Sequence, residues 1–242
     1  MDEGVSCLCL TYGRPFFLEE AIESFLRQEW SGPKELIVVN DHPSQELRYE
    51  HDEVLIVNLN RRLRTLGEKR NLSVALAKYD NLLIWDDDDI HLPWRIAETM
   101  KGLPGRGFYK CPTVWLWHER DAGVEKTLSR SDYGFHCAAA FHRSVFEAVG
   151  GYKCMNAGED FDFEQRIIAH ETAGECWETT LLPVDRVYYI YRWHKHYHAS
   201  YARSLSAINP SVKEGLWQLN PKWERDYGLE TFDLIAAVDH VP

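Results

Sequence analysis

The stretch NLLIWDDDDIHLP, residues 81–93, joins an apolar segment directly to four consecutive aspartates, Asp86 to Asp89. The apolar part has the length and composition of a buried β-strand. Adjacent carboxylates repel one another, and burial in a folded protein increases that cost. The run is therefore either an acidic turn in contact with water or part of a site that holds a positive partner. On both interpretations a strand ends where the aspartates begin.

Strands and helices alternate on the N-terminal side of this stretch. Apolar runs at residues 5–10, 35–40 and 53–60 predict three further strands, and residues 16–28 and 67–79 have the pattern of helices. In the first helix Phe17, Ala21 and Phe25 lie near one face, and Glu19, Glu20, Glu23 and Arg27 are expected mostly on the opposite face. This alternation predicts an α/β fold with a largely parallel sheet.

The second half of the chain is less regular. Residues 137–152 suggest a strand followed by a short helix that ends at Gly150 and Gly151, and residues 159–170 suggest another helix. Residues 187–193 form an aromatic, strand-like run. We expect one catalytic domain over residues 1–203, with residues 204–242 as a C-terminal extension packed on it.

Polar residues follow three of the predicted strands directly. Thr11, Asp41 and Asp86 each come just after an apolar run. Because ligands bind at the carboxyl ends of parallel strands, these residues are expected on one rim of the sheet. Hard oxygen ligands at such a position suit Mg²⁺ or Mn²⁺ carrying a phosphorylated substrate.

Composition limits the possible partners and compartments. The formal net charge of −11 argues against a broad nucleic-acid or anionic-membrane surface, although residues 60–64 and 191–198 are locally basic. The six cysteines include no CxxC pair and suggest reduced thiols. Neither a signal-peptide pattern nor a stretch of 18 apolar residues is present, so the expected location is the cytoplasm.

Five motifs in order resemble family 2 glycosyltransferases of the GT-A type, over residues 5–200. They are LTYGRPFFLEEAIESFLRQ at 10–28, ELIVVNDHPS at 35–44, GEKRNLSVALAKYDNLLIWDDDDIHLP at 67–93, AAFHRSVFEAVGGY with GEDFDFEQRI at 139–167, and YRWHKHYHAS at 191–200. The resemblance implies a GT-A (Rossmann-like) fold and an inverting, metal-dependent transferase. Such an enzyme moves a sugar from a UDP-sugar donor to a hydroxyl acceptor.

The resemblance also implies residue roles. The residues expected to bind the nucleotide sugar are Thr11, Tyr12, Arg14, Asp41, Arg70, Asp86 and Asp87. Asp88 would be the principal ligand of Mn²⁺ or Mg²⁺, with His198 completing the site. Asp160 would be the general base, and Glu159 would orient it or an acceptor hydroxyl. Without the motif, Glu159 and Asp160 would be interpreted as charges that complement a helix N-terminus.

Some features depart from the family pattern or leave alternatives open. Gly13 replaces a usual Asn, Asn40 replaces the first Asp of a usual pair, and the four-aspartate run leaves the DXD register uncertain by one residue. His194, His196 and His198 share one side of an extended segment and would also suit zinc. Two other functions are a sugar-1-phosphate nucleotidyltransferase and a non-catalytic protein that binds sugar nucleotides. The acceptor stays open among a glycan, a small molecule and, less favoured, a modified nucleic acid.

Overall fold

The protein is described by a computed structural model covering residues 4–103, 107–120, 123–131, 134–170, 182–194 and 213–222. The helices are α1 (Pro15–Leu26), α2 (Leu66–Leu76), α3 (Arg95–Gly102), α4 (Arg143–Ala148) and α5 (Glu159–Ala169). The strands up to the aspartate run are β1 (Val5–Thr11), β2 (Lys34–Asn40), β3 (Gln45–Arg48), β4 (Val54–Asn58) and β5 (Asn81–Ile84). The later strands are β6 (Ile90–His91), β7 (Phe108–Lys110), β8 (Thr113–Arg120), β9 (Gly123–Arg130), β10 (Ala139–His142), β11 (Tyr189–His194) and β12 (Gly215–Gln218).

The main sheet has six strands in the order β4-β2-β1-β5-β10-β7. The first four strands are parallel, and β10 and β7 add antiparallel pairs. After β1 the chain goes to β2 on one side, and β5 later joins β1 on the other side. This reversal leaves a crevice between the carboxyl ends of β1 and β5, where ligands bind in open α/β sheets. The predicted α/β class with a largely parallel sheet is confirmed.

A second sheet, in the order β6-β11-β8-β9, lies beyond the aspartate run. The β8–β9 hairpin pairs Thr113 with Arg130 at its base, and β11 runs parallel to β8. The aromatic strand predicted at residues 187–193 is confirmed as β11, whereas β3, α3 and the hairpin are not predicted by the sequence analysis. Periodicity is a weak guide here because the short strands carry mixed polar and apolar residues.

Trp85 fixes the end of β5 just before the aspartates. Its indole is fully buried, its Nε1 donates to the carbonyl of Ala21 at 3.0 Å, and its ring meets Phe25 edge-on with centroids 5.9 Å apart. Full burial of a large apolar side chain contributes roughly 1.5–3 kcal/mol. The core therefore holds the start of the acidic run against α1.

One expectation for α1 is wrong. Glu19 and Glu20, predicted on the solvent side, are only 6% and 3% exposed. Glu20 pairs with Arg192 of β11, and Glu19 accepts the backbone N–H of Asn220 at 2.9 Å. Each carboxylate is thus buried with a partner from a distant part of the chain, which satisfies it away from water.

Part of the predicted C-terminal extension is described. Residues 213–222 include β12, which pairs with β3 in a two-stranded sheet. The domain division at residue 203 stays a prediction. Among the described residues, five cysteines are free thiols, and no helix has the length and apolar character needed to cross a lipid bilayer.

Candidate active site

A cleft of about 410 Å³ opens at the crevice between β1 and β5. It brings together most of the predicted site residues, which are Thr11, Tyr12, Arg14, Arg70, Asp86, Asp87, Asp88 and Asp160. Asp41 and Glu159 lie just behind its wall and pair with Lys69 and Arg70, which line it. His198 and His196 lie outside the described residues, so a metal-binding histidine stays a prediction.

β5 ends at Ile84, and the aspartate run that follows forms a turn. Asp87 and Asp89 are buried, and Asp86 and Asp88 are partly exposed to the cleft. The side chain of Arg14, just before α1, donates hydrogen bonds to two aspartates. Its Nη2 bonds Asp87, and its Nη1 bonds Asp88. Asp89 accepts the Tyr189 hydroxyl and, at 2.9 Å, the backbone N–H of Arg192. All four aspartates therefore line the cleft, and three of them, Asp87, Asp88 and Asp89, also tie the run to Arg14 or to β11.

Burial and the proximity of like charges both raise the pKa values of these carboxylates. Burial raises the pKa of Asp87 to about 6, and the nearby Arg14 only partly offsets this. Burial also raises the pKa of Asp86, against the lowering effect of Arg70, and raises that of Asp89 well above its ordinary value. The neighbouring aspartates push these values further in the same direction. A cation placed in this part of the cleft would relieve both effects.

The cleft-facing part of the run suits a hard divalent cation. Asp86 and Asp88 offer carboxylate oxygens, the donors that Mg²⁺ and Mn²⁺ prefer. Ligand atoms of Asp86, Asp89 and Cys137 also lie within 4.8 Å of one another. However, burial raises the pKa of the Cys137 thiol well above its usual range, and the thiol is hydrogen bonded to the Tyr189 hydroxyl. Because a protonated thiol is a poor ligand, the carboxylates of Asp86 and Asp88 are the better pair.

Asp41 is fully buried and holds Lys69. The Lys69 ammonium donates to Asp41 Oδ1 at 2.5 Å and to the Thr11 carbonyl at 2.6 Å, and Asp41 Oδ2 accepts the backbone N–H of Leu63 at 3.1 Å. Burial lowers the pKa of Lys69, and Asp41 partly offsets that effect. Lys69 is the member of this pair that lines the cleft, and no sequence motif singled it out. The proposed contact between Asp41 and a uracil ring stays a prediction.

Tyr12 lies between two further side chains at the cleft. Its ring is 4.7 Å from that of His42, and the Arg62 guanidinium lies 4.5 Å from its centroid. Aromatic and guanidinium planes of this kind are surfaces on which bases stack. Arg62 belongs to the locally basic segment at residues 60–64, which the sequence analysis noted but did not assign to the site.

Asp160 occupies the first turn of α5 and lines the same cleft. Its carboxylate accepts the backbone N–H of Phe161 at 2.7 Å. Burial favours the neutral acid, but the positive charges of His136 and Arg70 outweigh it and hold the pKa of Asp160 below its usual value. Arg70 Nε also donates to Glu159 at 3.1 Å. Asp160 is therefore an ionised carboxylate, as a proton acceptor requires.

Residues 6–108 match the family model described as glycosyl transferase family 2. This match covers the N-terminal part of the chain, less than half of its length. Its curated relatives include the uncharacterized glycosyltransferase MJ1057 of Methanocaldococcus jannaschii, 24% identical over 74% of this chain and 69% of that protein. Another is the uncharacterized glycosyltransferase YwdF of Bacillus subtilis, 28% identical over 54% of this chain and 50% of that protein. The predicted glycosyltransferase class is confirmed.

Solved structures of S. aureus TarS have a similar fold. The structure of TarS 1-349 with UDP-GlcNAc superposes with a TM-score of 0.57 at 15% identity, covering 83% of this chain and 61% of that one. The structure with UDP gives a TM-score of 0.54 at 16% identity, covering 78% of this chain and 60% of that one. The predicted GT-A fold is confirmed. This chain spans about three fifths of the solved TarS chain.

Proposed function

We propose that the chain transfers a sugar from a UDP-sugar to an acceptor hydroxyl, with inversion and with the help of Mn²⁺ or Mg²⁺. The observation that carries the proposal is the shared cleft, where Asp86 and Asp88 line the same cavity as Asp160. Sugar transfer places two demands on such a site. Negative charge must be stabilised on the departing diphosphate, and a proton must be removed from the attacking alcohol.

The cations of the cleft suit the first demand. Arg14, Lys69 and Arg70 line it together with the aspartates. Their fixed charges face the region where a diphosphate would lie beside Asp86 and Asp88, and fixed charges stabilise developing charge without reorganisation. A divalent ion held by Asp86 and Asp88 would supply further neutralisation of the two phosphates. Tyr12, with Arg62 and His42 beside it, provides an aromatic surface for the base.

Asp160 suits the second demand. In this proposal it accepts the proton of the acceptor hydroxyl as that oxygen forms a bond to the anomeric carbon and the bond to the diphosphate breaks. Its pKa lies below the ordinary value, so the carboxylate is available at neutral pH. The acceptor oxygen, deprotonated by Asp160, would attack the anomeric carbon from the side opposite the departing diphosphate, and a single displacement of this kind inverts that carbon. Glu159, which pairs with Arg70, is proposed to orient Asp160 or an acceptor hydroxyl, as the resemblance implies.

The proposed donor class has support from a structural neighbour. A TarS structure is described as a complex with UDP-GlcNAc, and the fold of this chain is similar. The donor sugar and the acceptor of this chain are left open by that likeness. A UDP-sugar is the proposal because the cleft combines a base-stacking surface, three cationic side chains and carboxylates for a metal ion.

A panel of nucleotide sugars tests the proposal. Thermal shift and donor hydrolysis are measured for UDP, GDP, ADP and CMP sugars, each with Mn²⁺ and with EDTA. We expect a UDP-sugar to stabilise the protein and to be hydrolysed slowly only when Mn²⁺ is present. Release of pyrophosphate from a nucleoside triphosphate and a sugar phosphate would instead establish a nucleotidyltransferase. No response to any donor would contradict the proposal.

Substitution of Asp88 tests the metal role directly. We expect Asp88→Asn to weaken Mn²⁺ binding, measured by calorimetry with UDP present, by about tenfold or more. Asp80→Asn is a matched control, because Asp80 is an exposed aspartate that pairs with Arg143 away from the cleft. Equal Mn²⁺ affinity in the Asp88 variant and the control would exclude Asp88 as the principal ligand.

A further inference from the structure

A buried chain of polar groups connects the wall of the cleft to the interior. Lys110 Nζ donates to both carboxylate oxygens of Glu164, at 2.8 and 3.1 Å. Glu164 Oε1 lies 2.6 Å from His136 Nδ1, and His136 Nε2 lies 2.7 Å from the Tyr152 hydroxyl. The four side chains are at most 6% exposed. A buried polar group that loses its partner is costly, so each member of the network keeps its hydrogen bonds. The four side chains therefore hold one another in fixed positions.

His136 is the member of this chain that reaches the cleft. It begins a short 3₁₀ helix, residues His136–Ala138, and the preceding Phe135 has a left-handed backbone with φ of 56°. Left-handed backbone is uncommon for a bulky residue and costs roughly 1–3 kcal/mol. Just after it, the Cys137 carbonyl accepts Arg95 Nη2 at 2.8 Å. The backbone that carries the imidazole is thus held on both sides.

The partner of His136 lies on the helix that carries Asp160. Glu164 follows Asp160 by four residues on α5, so both carboxylates lie on one face of that helix. His136 Nδ1 donates a hydrogen bond to Glu164. The same side chain lines the cleft together with Asp160. The imidazole is therefore fixed to the same helix face that presents Asp160.

Tyr152 links this arrangement to Arg70. The Arg70 guanidinium lies 5.6 Å from the Tyr152 ring centroid, and the ring packs on Phe163 of α5 with centroids 4.1 Å apart. Because the Tyr152 hydroxyl either donates or accepts, Nε2 of His136 keeps a hydrogen bond in both protonation states of the ring. Arg70 bound to Glu159 and His136 bound to Glu164 thus hold α5 on either side of Asp160.

We infer that His136 is a positioning residue of the transfer reaction, which holds α5 through Glu164 one turn beyond Asp160. The inference rests on the proposed function, in which Asp160 is the base. His136 acts through Glu164 and α5. Its role is to keep Asp160 aligned towards the acceptor.

The charged surroundings of Asp160 set the direction of the expected change. The groups that face it or lie beside it are Arg70 from α2, His136 from the 3₁₀ helix, Tyr152 before α5, Glu159 and Glu164 on its own helix, and Asp86 across the cleft, which interacts with the same two cations. In this set, His136 and Arg70 are the side chains that lower the pKa of Asp160. Loss of His136 removes one of these two influences, so the pKa of Asp160 should rise.

His136→Gln tests the inference in the full chain. We expect kcat at pH 7 to fall by about 10- to 100-fold, since small misplacement of a catalytic group has effects of this size. We expect the acid limb of the pH–rate profile to move upward by about one pH unit. His51→Gln is the control, because His51 is exposed and its Nδ1 accepts a loop N–H from Glu53. Tyr152→Phe keeps the ring packing and should lower kcat less than His136→Gln, and it also serves if His136→Gln fails to fold.

A second measurement needs no turnover. The ¹³C carboxyl signal of Asp160, assigned by its loss in Asp160→Asn, is followed against pH in the wild type and in His136→Gln. An upward shift of the midpoint in the folded variant supports the inference, and an unchanged midpoint with an unchanged acid limb overturns it. Absence of wild-type turnover with every donor would instead count against the proposed function.

Discussion

Two acidic regions line the same cleft and differ in the direction in which their pKa values are shifted. Along the aspartate run, burial raises the pKa of Asp86, Asp87 and Asp89. On α5, Asp160 has a pKa below its ordinary value. Burial is the largest influence on the aspartates of the run, whereas at Asp160 the lowering effects of His136 and Arg70 exceed that of burial. The contrast teaches that carboxylates lining one cleft can have pKa values shifted in opposite directions.

The two regions also differ in how they are held. The aspartate run is tied down by residues of separate elements, with Arg14 at the start of α1 and Tyr189 in β11. The α5 carboxylates are held by a continuous buried network that includes Arg70, His136 and Lys110. Because the partners of a buried carboxylate decide its charge, changes to these partners are the most direct way to test the contrast.

The largest expected effect comes from removing the ionised base. We expect Asp160→Asn to reduce kcat by about 10² to 10⁴, because a positioned general base typically contributes this much. Binding of UDP should stay within a few-fold of the wild type, since in the proposed function Asp160 acts on the acceptor hydroxyl and not on the nucleotide. Steady-state kinetics and calorimetry measure the two quantities.

The matched control for that variant is Asp162→Asn. Asp162 lies on the same helix and pairs with Lys153 and Arg166, and it does not line the cleft. Near wild-type turnover in Asp160→Asn would show that Asp160 is not the general base.

Arg70→Met is expected to lower the free energy of unfolding strongly and to reduce kcat less than Asp160→Asn does. This change leaves Glu159, only 2% exposed, without the cation that neutralises it. Breaking a buried ion pair by removing one partner costs about 3–5 kcal/mol. Denaturant unfolding measures the loss, and Arg48→Met is the control because its pair with Glu46 is exposed and such pairs contribute roughly 0–1 kcal/mol. Equal losses in the two variants would show that Arg70 is not what holds the α5 carboxylates.

The smallest effect is a pH dependence at Glu164. Burial favours its neutral form, but the hydrogen bond from His136 and the charges of His136 and Lys110 hold its pKa below the ordinary value of 4.5. A lowered pKa stabilises the fold fully above the unfolded-state value, and this contribution is lost as pH falls through the folded-state value. The free energy of unfolding should therefore fall less steeply below pH 4.5 in Glu164→Gln than in the wild type.

Glu46→Gln is the control for this pH dependence, because Glu46 is exposed and pairs with Arg48. That variant should keep the wild-type slope. The same slope in Glu164→Gln as in the wild type would mean that the buried network does not hold an ionised Glu164.

Much of the first half of the fold is predicted by local pattern. The apolar runs that become β1, β2 and β5 are buried strands of a parallel sheet, and continuous apolar composition is typical of such strands, whereas β4 is a partly exposed edge strand. Because helices alternate with these strands, the strands run parallel, and their carboxyl ends lie at the same edge of the sheet. For this reason Thr11 and Asp86 could be assigned to one rim from the sequence.

Sequence alone determined the order of these elements, the position of the acidic run and the resemblance that pointed to Asp160, because each depends on neighbours within a few residues. Only the tertiary structure decided which charge meets which carboxylate. Glu20 meets Arg192 across 172 residues, Arg70 meets Glu159 across 89, and His136 meets Glu164 across 28. No local periodicity encodes such pairs, since folding brings the partners together only when strands and helices pack, and these contacts set the charge of each carboxylate in the cleft.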